Sequence, residues 1–187
     1  LVSLLSTSVD KDIIDSANNL KIIANYGAGF NNIDVEYARQ QNIDVTNTPH
    51  ASTNAAADLT IGLILSVARR IVEGDHLSRT TGFDGWAPLF FRGREVSGKT
   101  IGIIGLGEIG GAVAKRARAF DMDVLYTGPH RKEEKERDIG AKYVDLDTLL
   151  KNADFITINA AYNPSLHHMI DTEQFKKMKS TAYLINA

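Results

Sequence analysis

One stretch of the chain has the residue types and spacing to hold a phosphate-bearing ligand. Gly105-Leu106-Gly107-Glu108-Ile109-Gly110 fits the pattern G-x-G-x-x-G. The pattern alone is weak, because three glycines recur by chance. Its surroundings give it weight. Thr100-Ile101-Gly102-Ile103-Ile104 leads in as a buried strand. Glu108 to Phe120 leads out as an amphipathic helix, with Ile109, Ala112, Val113, Ala117 and Phe120 on one face. Gly105 would permit the tight turn, Gly107 would let a pyrophosphate approach the backbone, and Gly110 would let helix pack on strand. The helix N-terminus would offer free N–H groups and partial positive charge. A Gly-rich turn without a ligand is the competing reading.

The end of the next strand, Asp123-Val124-Leu125-Tyr126-Thr127, bears on which dinucleotide fits. NAD-binding versions of the motif place Asp or Glu about 20 residues further on, against the ribose hydroxyls. Here the chain reads Thr127-Gly128-Pro129-His130-Arg131-Lys132. A carboxylate would repel a 2′-phosphate, whereas Thr127, His130, Arg131 and Lys132 can donate to one. The residues favour NADP(H) over NAD(H). Alternatively, Arg131 and Lys132 open a solvated charged helix running through Asp138. A second candidate site lies near the start of the chain. Leu20-Lys21-Ile22-Ile23-Ala24 reads as a strand and runs into Asn25-Tyr26-Gly27-Ala28-Gly29. A Gly-rich turn at a strand's carboxyl end can form an anion-binding nest of N–H groups, or be a bare tight turn.

These sites need elements to position them. Asp34 to Gln41 reads as a short helix and Ile43 to Thr46 as a strand, so helix and strand alternate as in βαβ units. Residues 47–53 are polar, carry Pro49 and form a natural domain crossing. A long helix follows, capped by Thr53 or Asn54, with Asp58 in an early turn and apolar residues at Leu59, Leu63, Val67 and Ile71. Its apolar character nearly all round suits a helix bridging domains or lying in a subunit interface. Phe83 to Phe91 is irregular and aromatic, holding the only Trp, Trp86. It must pack on a partner subunit or on its own domain. Further on, Arg131 to Asp138 reads as a helix ended by Gly140, and Leu146 to Lys151 as a short helix. Phe155 to Ile158 reads as a strand, Thr172 to Met178 as a helix and Ala182 to Ile185 as a last strand. The expected fold class is α/β, a Rossmann-type doubly wound parallel sheet plus part of a second, flavodoxin-like α/β domain. The expected division is 1–50 partial substrate domain, 51–98 interdomain and dimerisation segment, and 99–187 dinucleotide-binding domain.

Composition narrows the function classes. Of 187 residues, 43% are hydrophobic and 24% charged, as in ordinary globular proteins. Lys plus Arg is 21 against 23 Asp plus Glu, a net charge of -2, which argues against a nucleic-acid or membrane surface built on bulk charge. There is no Cys, which excludes disulfide scaffolds, thiolate metal sites and Cys nucleophiles. The most apolar stretch, Leu59 to Ala68, is too short and mixed to span a bilayer. No charged leader opens the sequence, and a cytoplasmic protein is expected.

Taken together, the motifs resemble those of the D-isomer-specific 2-hydroxyacid dehydrogenases, most closely the glyoxylate/hydroxypyruvate reductases. The resemblance runs through the chain. It rests on Asn25 to Gly29 with Ile33-Asp34, Thr48-Pro49, Ala57-Asp58-Leu59-Thr60, Trp86-Ala87-Pro88-Leu89, Gly105 to Gly110, Tyr126-Thr127-Gly128, Lys177-Met178-Lys179 and Ile185-Asn186-Ala187. It implies two α/β domains with the active site in the cleft between them, a small 2-keto acid substrate and a homodimer. It also implies that Ala28 and Gly29 offer N–H groups to the substrate carboxylate. Glu108 and Ile109 would lie at the pyrophosphate, His130 to Lys132 at the adenosine phosphate, and Ala161 and Ala187 along the cofactor cleft. Trp86 would reach the partner's active site.

The departures concern catalysis. The family takes an Arg from just after the strand that here ends the sequence, a Glu further on, and a His near the C-terminus. His is the general acid, Glu sets its pKa and Arg holds the substrate. None of His50, His76, His130, His167 and His168 matches, so no catalytic residue is expected in this chain, and no metal site. The apolar ends suggest the middle of a longer reductase, and the 187 residues alone are expected not to turn over and to hold cofactor weakly. The competing functions are a dinucleotide-sensing binding module and a naturally truncated, inactive homologue.

Overall fold

A computed structural model describes residues 1–83, 85–161 and 164–187. Asp84, in the expected aromatic loop, lies outside the described residues. The chain divides into two compact units, Leu1–Thr53 and Asn54–Ala187.

The first unit alternates β1 (Val2–Leu4), α1 (Lys11–Asp15), β2 (Ile22–Tyr26), α2 (Val35–Gln40) and β3 (Asp44–Thr46). Its strands are parallel in the order β1-β2-β3. Each helix starts where an Asp accepts from the backbone: Asp10 from the Ile13 N–H at 3.2 Å, and Asp34 from the Tyr37 N–H at 3.0 Å. Val9, Ile14, Ile23, Ile33, Ala38 and Ile43 form its core. Strand β2 lies two residues beyond the expected run, because Leu20 and Lys21 precede the ladder and Asn25 and Tyr26 continue it.

Helix α3 (Thr53–Arg69) begins at the last residue of the first unit and otherwise belongs to the second, where α4 (Ile71–Arg79) follows it. Two expectations need correction here. Thr53 is already helical, so it does not cap α3. The helix also does not continue through Ile71. Arg70 takes a left-handed conformation, φ 56° and ψ 38°, and breaks the chain into two helices. Its guanidinium is fixed by Glu73 at 2.6 Å and stacks over Phe91 at 4.3 Å. The buried face of α3 is Ala57, Thr60, Ile64 and Ala68. Leu59 and Val67, on the apolar line noted in the sequence, face outward.

From there the chain winds through β4 (Thr100–Ile104), α5 (Glu108–Arg118), β5 (Asp123–Thr127), α6 (Glu133–Ile139), β6 (Ala141–Tyr143), α7 (Leu146–Asn152), β7 (Phe155–Ile158), α8 (Thr172–Lys177) and β8 (Tyr183–Asn186). The five strands are parallel in the order β6-β5-β4-β7-β8. One face carries a core including Ile101, Ile103, Val113, Ala117 and Tyr126, the other a core of Ile104, Leu149, Leu150, Ala153 and Ile156. Layers on both faces make the sheet doubly wound. Gly102 lies close under α7: a Cβ there would meet Leu149 Cδ2 at 2.5 Å and Ala153 Cβ at 2.9 Å. Among the described residues no helix is long and apolar enough to cross a membrane.

Candidate functional site

The chain order in the five-stranded sheet reverses at β4. Strands β5 and β6 lie on one side of it, β7 and β8 on the other, and open α/β sheets bind ligands at the carboxyl ends beside such a reversal. The glycine motif sits there. The Gly105 N–H donates to the Thr127 carbonyl at 2.9 Å, and the Asn159 N–H to the Ile104 carbonyl at 2.8 Å. The loop after β4 is thereby tied to the ends of both neighbouring strands.

Each glycine meets a different physical demand. Gly105 has φ +95°, and a Cβ on it would lie 2.7 Å from the Ala160 nitrogen. Gly110 is buried, and a Cβ there would run into the Gly105 carbonyl oxygen. Gly107 caps α5 and, among the described residues, has no atom within 4 Å of where a Cβ would stand. Packing therefore explains Gly105 and Gly110, whereas Gly107 faces open space. Glu108 and Ile109 form the first turn of α5 directly after Gly107, and the first turn of a helix presents its backbone N–H groups outward. A dinucleotide pyrophosphate suits that geometry: uncovered backbone at Gly107 and the positive end of a helix dipole.

A residue not singled out from the sequence contributes here. Lys135 on α6 donates to the Gly107 carbonyl at 3.0 Å and to Glu108 Oε1 at 2.9 Å. It offsets the Glu108 carboxylate beside the glycine loop. Ala161 follows β7 and Ala187 follows β8, both exposed at the same carboxyl-end edge as Gly105 and Thr127.

The end of β5 differs from the sequence reading. Arg131 and Lys132 do not lie in the charged helix, which starts at Glu133 after Lys132. Arg131 instead reaches into α6 and holds Glu136 with two bonds of 2.9 Å. Glu136 Oε1 also accepts from the Tyr126 hydroxyl at 2.6 Å, and that hydroxyl accepts from the Lys132 N–H at 2.7 Å. The guanidinium and the phenol hold the Glu136 carboxyl down at about 2. Arg131 is held charged by the same pair, while burial and the Glu136 bond push the Tyr126 hydroxyl up. A carboxylate thus does approach the strand end, from α6. The linear sequence hides it, because only the docking of α6 puts Glu136 beside Tyr126. Thr127 is half-buried, and His130 and Lys132 are exposed.

In the first unit, Ala28 and Gly29 are exposed at the carboxyl end of β2. The three carbonyls of the turn are all held: Gly27 O by the Thr48 N–H at 3.0 Å, Ala28 O by Asn47 Nδ2 at 2.8 Å, and Gly29 O by Asn25 Nδ2 at 2.6 Å. Among the described residues, the N–H groups of Ala28 and Gly29 meet no acceptor. In the second unit, Trp86 is 84% exposed, and Leu89 and Phe83 are also exposed, with Phe83 stacked on Phe90 at 6.0 Å. Packing on its own unit therefore does not account for Trp86. His167 and His168 are exposed and stack on one another at 3.9 Å. Among the described residues no group of His, Asp and Glu is placed to hold a metal ion.

The fold and glycine loop are those of a dinucleotide-binding α/β protein, and comparison with known proteins narrows the class. Residues 61–187 match the NAD-binding domain of the D-isomer specific 2-hydroxyacid dehydrogenases, so the chain belongs to that family. A Staphylococcus epidermidis protein provisionally named a 2-hydroxyacid dehydrogenase is 99% identical over all 187 residues, which span 59% of its length. A crystal structure of the TT0316 protein from Thermus thermophilus superposes with a TM-score of 0.92 at 38% identity, covering 100% of this chain and 58% of that one. D-lactate dehydrogenase from Aquifex aeolicus, complexed with NAD and lactic acid, gives 0.89 at 31% identity, covering 99% and 55%. An acyclic imino acid reductase in complex with NADPH and D-Arg gives 0.87 at 30% identity, covering 99% and 58%.

Proposed function

We propose that the protein containing this chain reduces a small 2-keto acid, of the glyoxylate or hydroxypyruvate type, to the D-2-hydroxy acid with NAD(P)H. The observation that carries the reading is the open backbone at Gly107, at the sheet's reversal point, in a chain of this family. Gly105 and Gly110 set the turn and helix. The N–H groups of Glu108 and Ile109 take the pyrophosphate, and Ala161 and Ala187 line the cofactor's course with side chains too small to block it. When bound, the reduced nicotinamide supplies hydride to the keto carbon. The Ala28 and Gly29 N–H groups hold the substrate carboxylate. We assign the acid–base group to the part of the relatives' length that this chain does not span.

NADP(H) is the favoured cofactor in this proposal. Thr127 stands where a ribose-binding carboxylate would, and His130, Arg131 and Lys132 cluster after it. Glu136 is the counterweight, since it already occupies Arg131. The fold accommodates both dinucleotides, as the NAD-bound and NADPH-bound neighbours attest for their own chains. The protein is further proposed to act in the cytoplasm as a homodimer, with Trp86 shaping substrate choice.

The test is an initial-rate assay of the full-length protein with glyoxylate, hydroxypyruvate and pyruvate, each with NADPH and with NADH. Reduction of the first two, faster with NADPH, is the expected result. Cofactor binding without turnover of any 2-keto acid would instead indicate a sensing module.

A further inference from the structure

We infer that Asn47, beside the Thr48 N–H, is a positioning residue for the anion-binding N–H pair of Ala28 and Gly29. The inference rests on the carboxylate role proposed for that turn. A trans peptide points its N–H opposite to its C=O. The Gly27 carbonyl shares a peptide unit with the Ala28 N–H, and the Ala28 carbonyl shares one with the Gly29 N–H. Thr48 N–H holds the first carbonyl at 3.0 Å, and Asn47 Nδ2 holds the second at 2.8 Å. Both carbonyls are therefore drawn toward the segment after β3, and both N–H groups are aimed away from it. Donation to a carbonyl also polarises its peptide, which makes the N–H on the other side a better donor to an anion.

The rest of the turn is anchored from within. Asn25 is 3% exposed and donates to the Gly29 carbonyl at 2.6 Å. Its Oδ1 accepts from Ser3 Oγ at 3.0 Å and from Asn32 Nδ2 at 3.4 Å. Asn32 Nδ2 also donates to the Leu4 carbonyl at 3.0 Å and the Thr7 carbonyl at 2.9 Å, while its buried Oδ1 has no partner among the described residues. This polar cluster leaves an acceptor unpaired and keeps its donors on carbonyls. Asn47 differs from Asn25 in being half-buried and outside the hydrophobic core. Its bond to Ala28 can be removed with little loss of packing.

The experiment uses the full-length protein with Asn47→Ala and with Asn47→Asp, which keeps the volume and loses the donor. Oxalate, a planar carboxylate, is titrated calorimetrically in the presence of NADPH, and 2-keto acid kinetics and thermal midpoints are measured alongside. The oxalate Kd and the 2-keto acid KM are expected to rise together, about five- to tenfold in Asn47→Ala and further in Asn47→Asp. The kcat, the KM for the dinucleotide and the thermal midpoint of Asn47→Ala are expected to stay near wild type, a split that general loosening of the fold would not give. Equal oxalate affinity in wild type and both folded variants overturns the inference, even if 2-keto acids turn over. Oxalate binding that weakens in the variants without any 2-keto acid turnover refutes the proposed reaction and supports the positioning role. A wild type that binds no oxalate overturns both.

Discussion

Gly110 and Glu136 show how single residues shape the dinucleotide site. Gly110 has no room for a methyl group, because the Gly105 carbonyl occupies it. Gly110→Ala should cost about 1–3 kcal/mol of stability, as overpacking does, visible as a lower thermal midpoint. Glu136 acts through charge. Replacing it with Gln frees Arg131 for a 2′-phosphate, so the Kd for NADPH should fall relative to that for NADH. An unchanged ratio, read by competitive titration of the two dinucleotides, would remove Arg131 from the phosphate site. The same carboxyl gives a pH signature. Its folded value of about 2 lies below its ordinary 4.5, so its stabilisation is complete above about 4.5 and is lost as pH falls toward 2. The gap in thermal midpoint between wild type and Glu136→Gln should narrow over that window.

At the scale of elements, Gly102 decides how closely α7 approaches the sheet. Gly102→Val would drive a side chain into Leu149 and Ala153, and the expected loss exceeds about 3 kcal/mol, measured by chemical denaturation. The strands around this contact were legible in the sequence. Thr100–Ile104 and Phe155–Ile158 are runs buried on both faces, Asp123–Thr127 buries Val124 and Tyr126 in alternation, and their bounds follow from these runs alone. Strand β1, helix α1 and strand β6 were not legible. Each is five residues or fewer and buries a single residue, Ser3, Ile14 or Ala141, so tertiary pairing rather than local pattern creates it. The break at Arg70 was hidden for another reason: neither Gly nor Pro marks it, and the left-handed residue is held by Glu73 and Phe91. Of the candidate site, the glycine loop could be read because each glycine answers a local demand. Lys135 and Glu136 could not, because they reach the site only when α6 docks.

For the whole molecule, the exposed apolar residues matter most. Leu59, Val67, Ile71, Val72, Trp86 and Leu89 each leave apolar surface in water. If this surface is the proposed homodimer contact, Trp86→Ala should shift sedimentation of the full-length protein toward monomer. An unchanged dimer would place the contact elsewhere. The central claim, that the carboxyl-end edge of the five-stranded sheet holds a nicotinamide dinucleotide, has a direct test in Gly107→Ala. Among the described residues nothing lies within 4 Å of a Cβ built on Gly107, so the substitution should change stability by less than about 1 kcal/mol. Calorimetric titration of the full-length protein with NADPH and NADH should show saturable binding by wild type and at least about tenfold weaker binding by the variant at a similar thermal midpoint. Equal affinity in the two proteins, or no binding by wild type, would contradict the account.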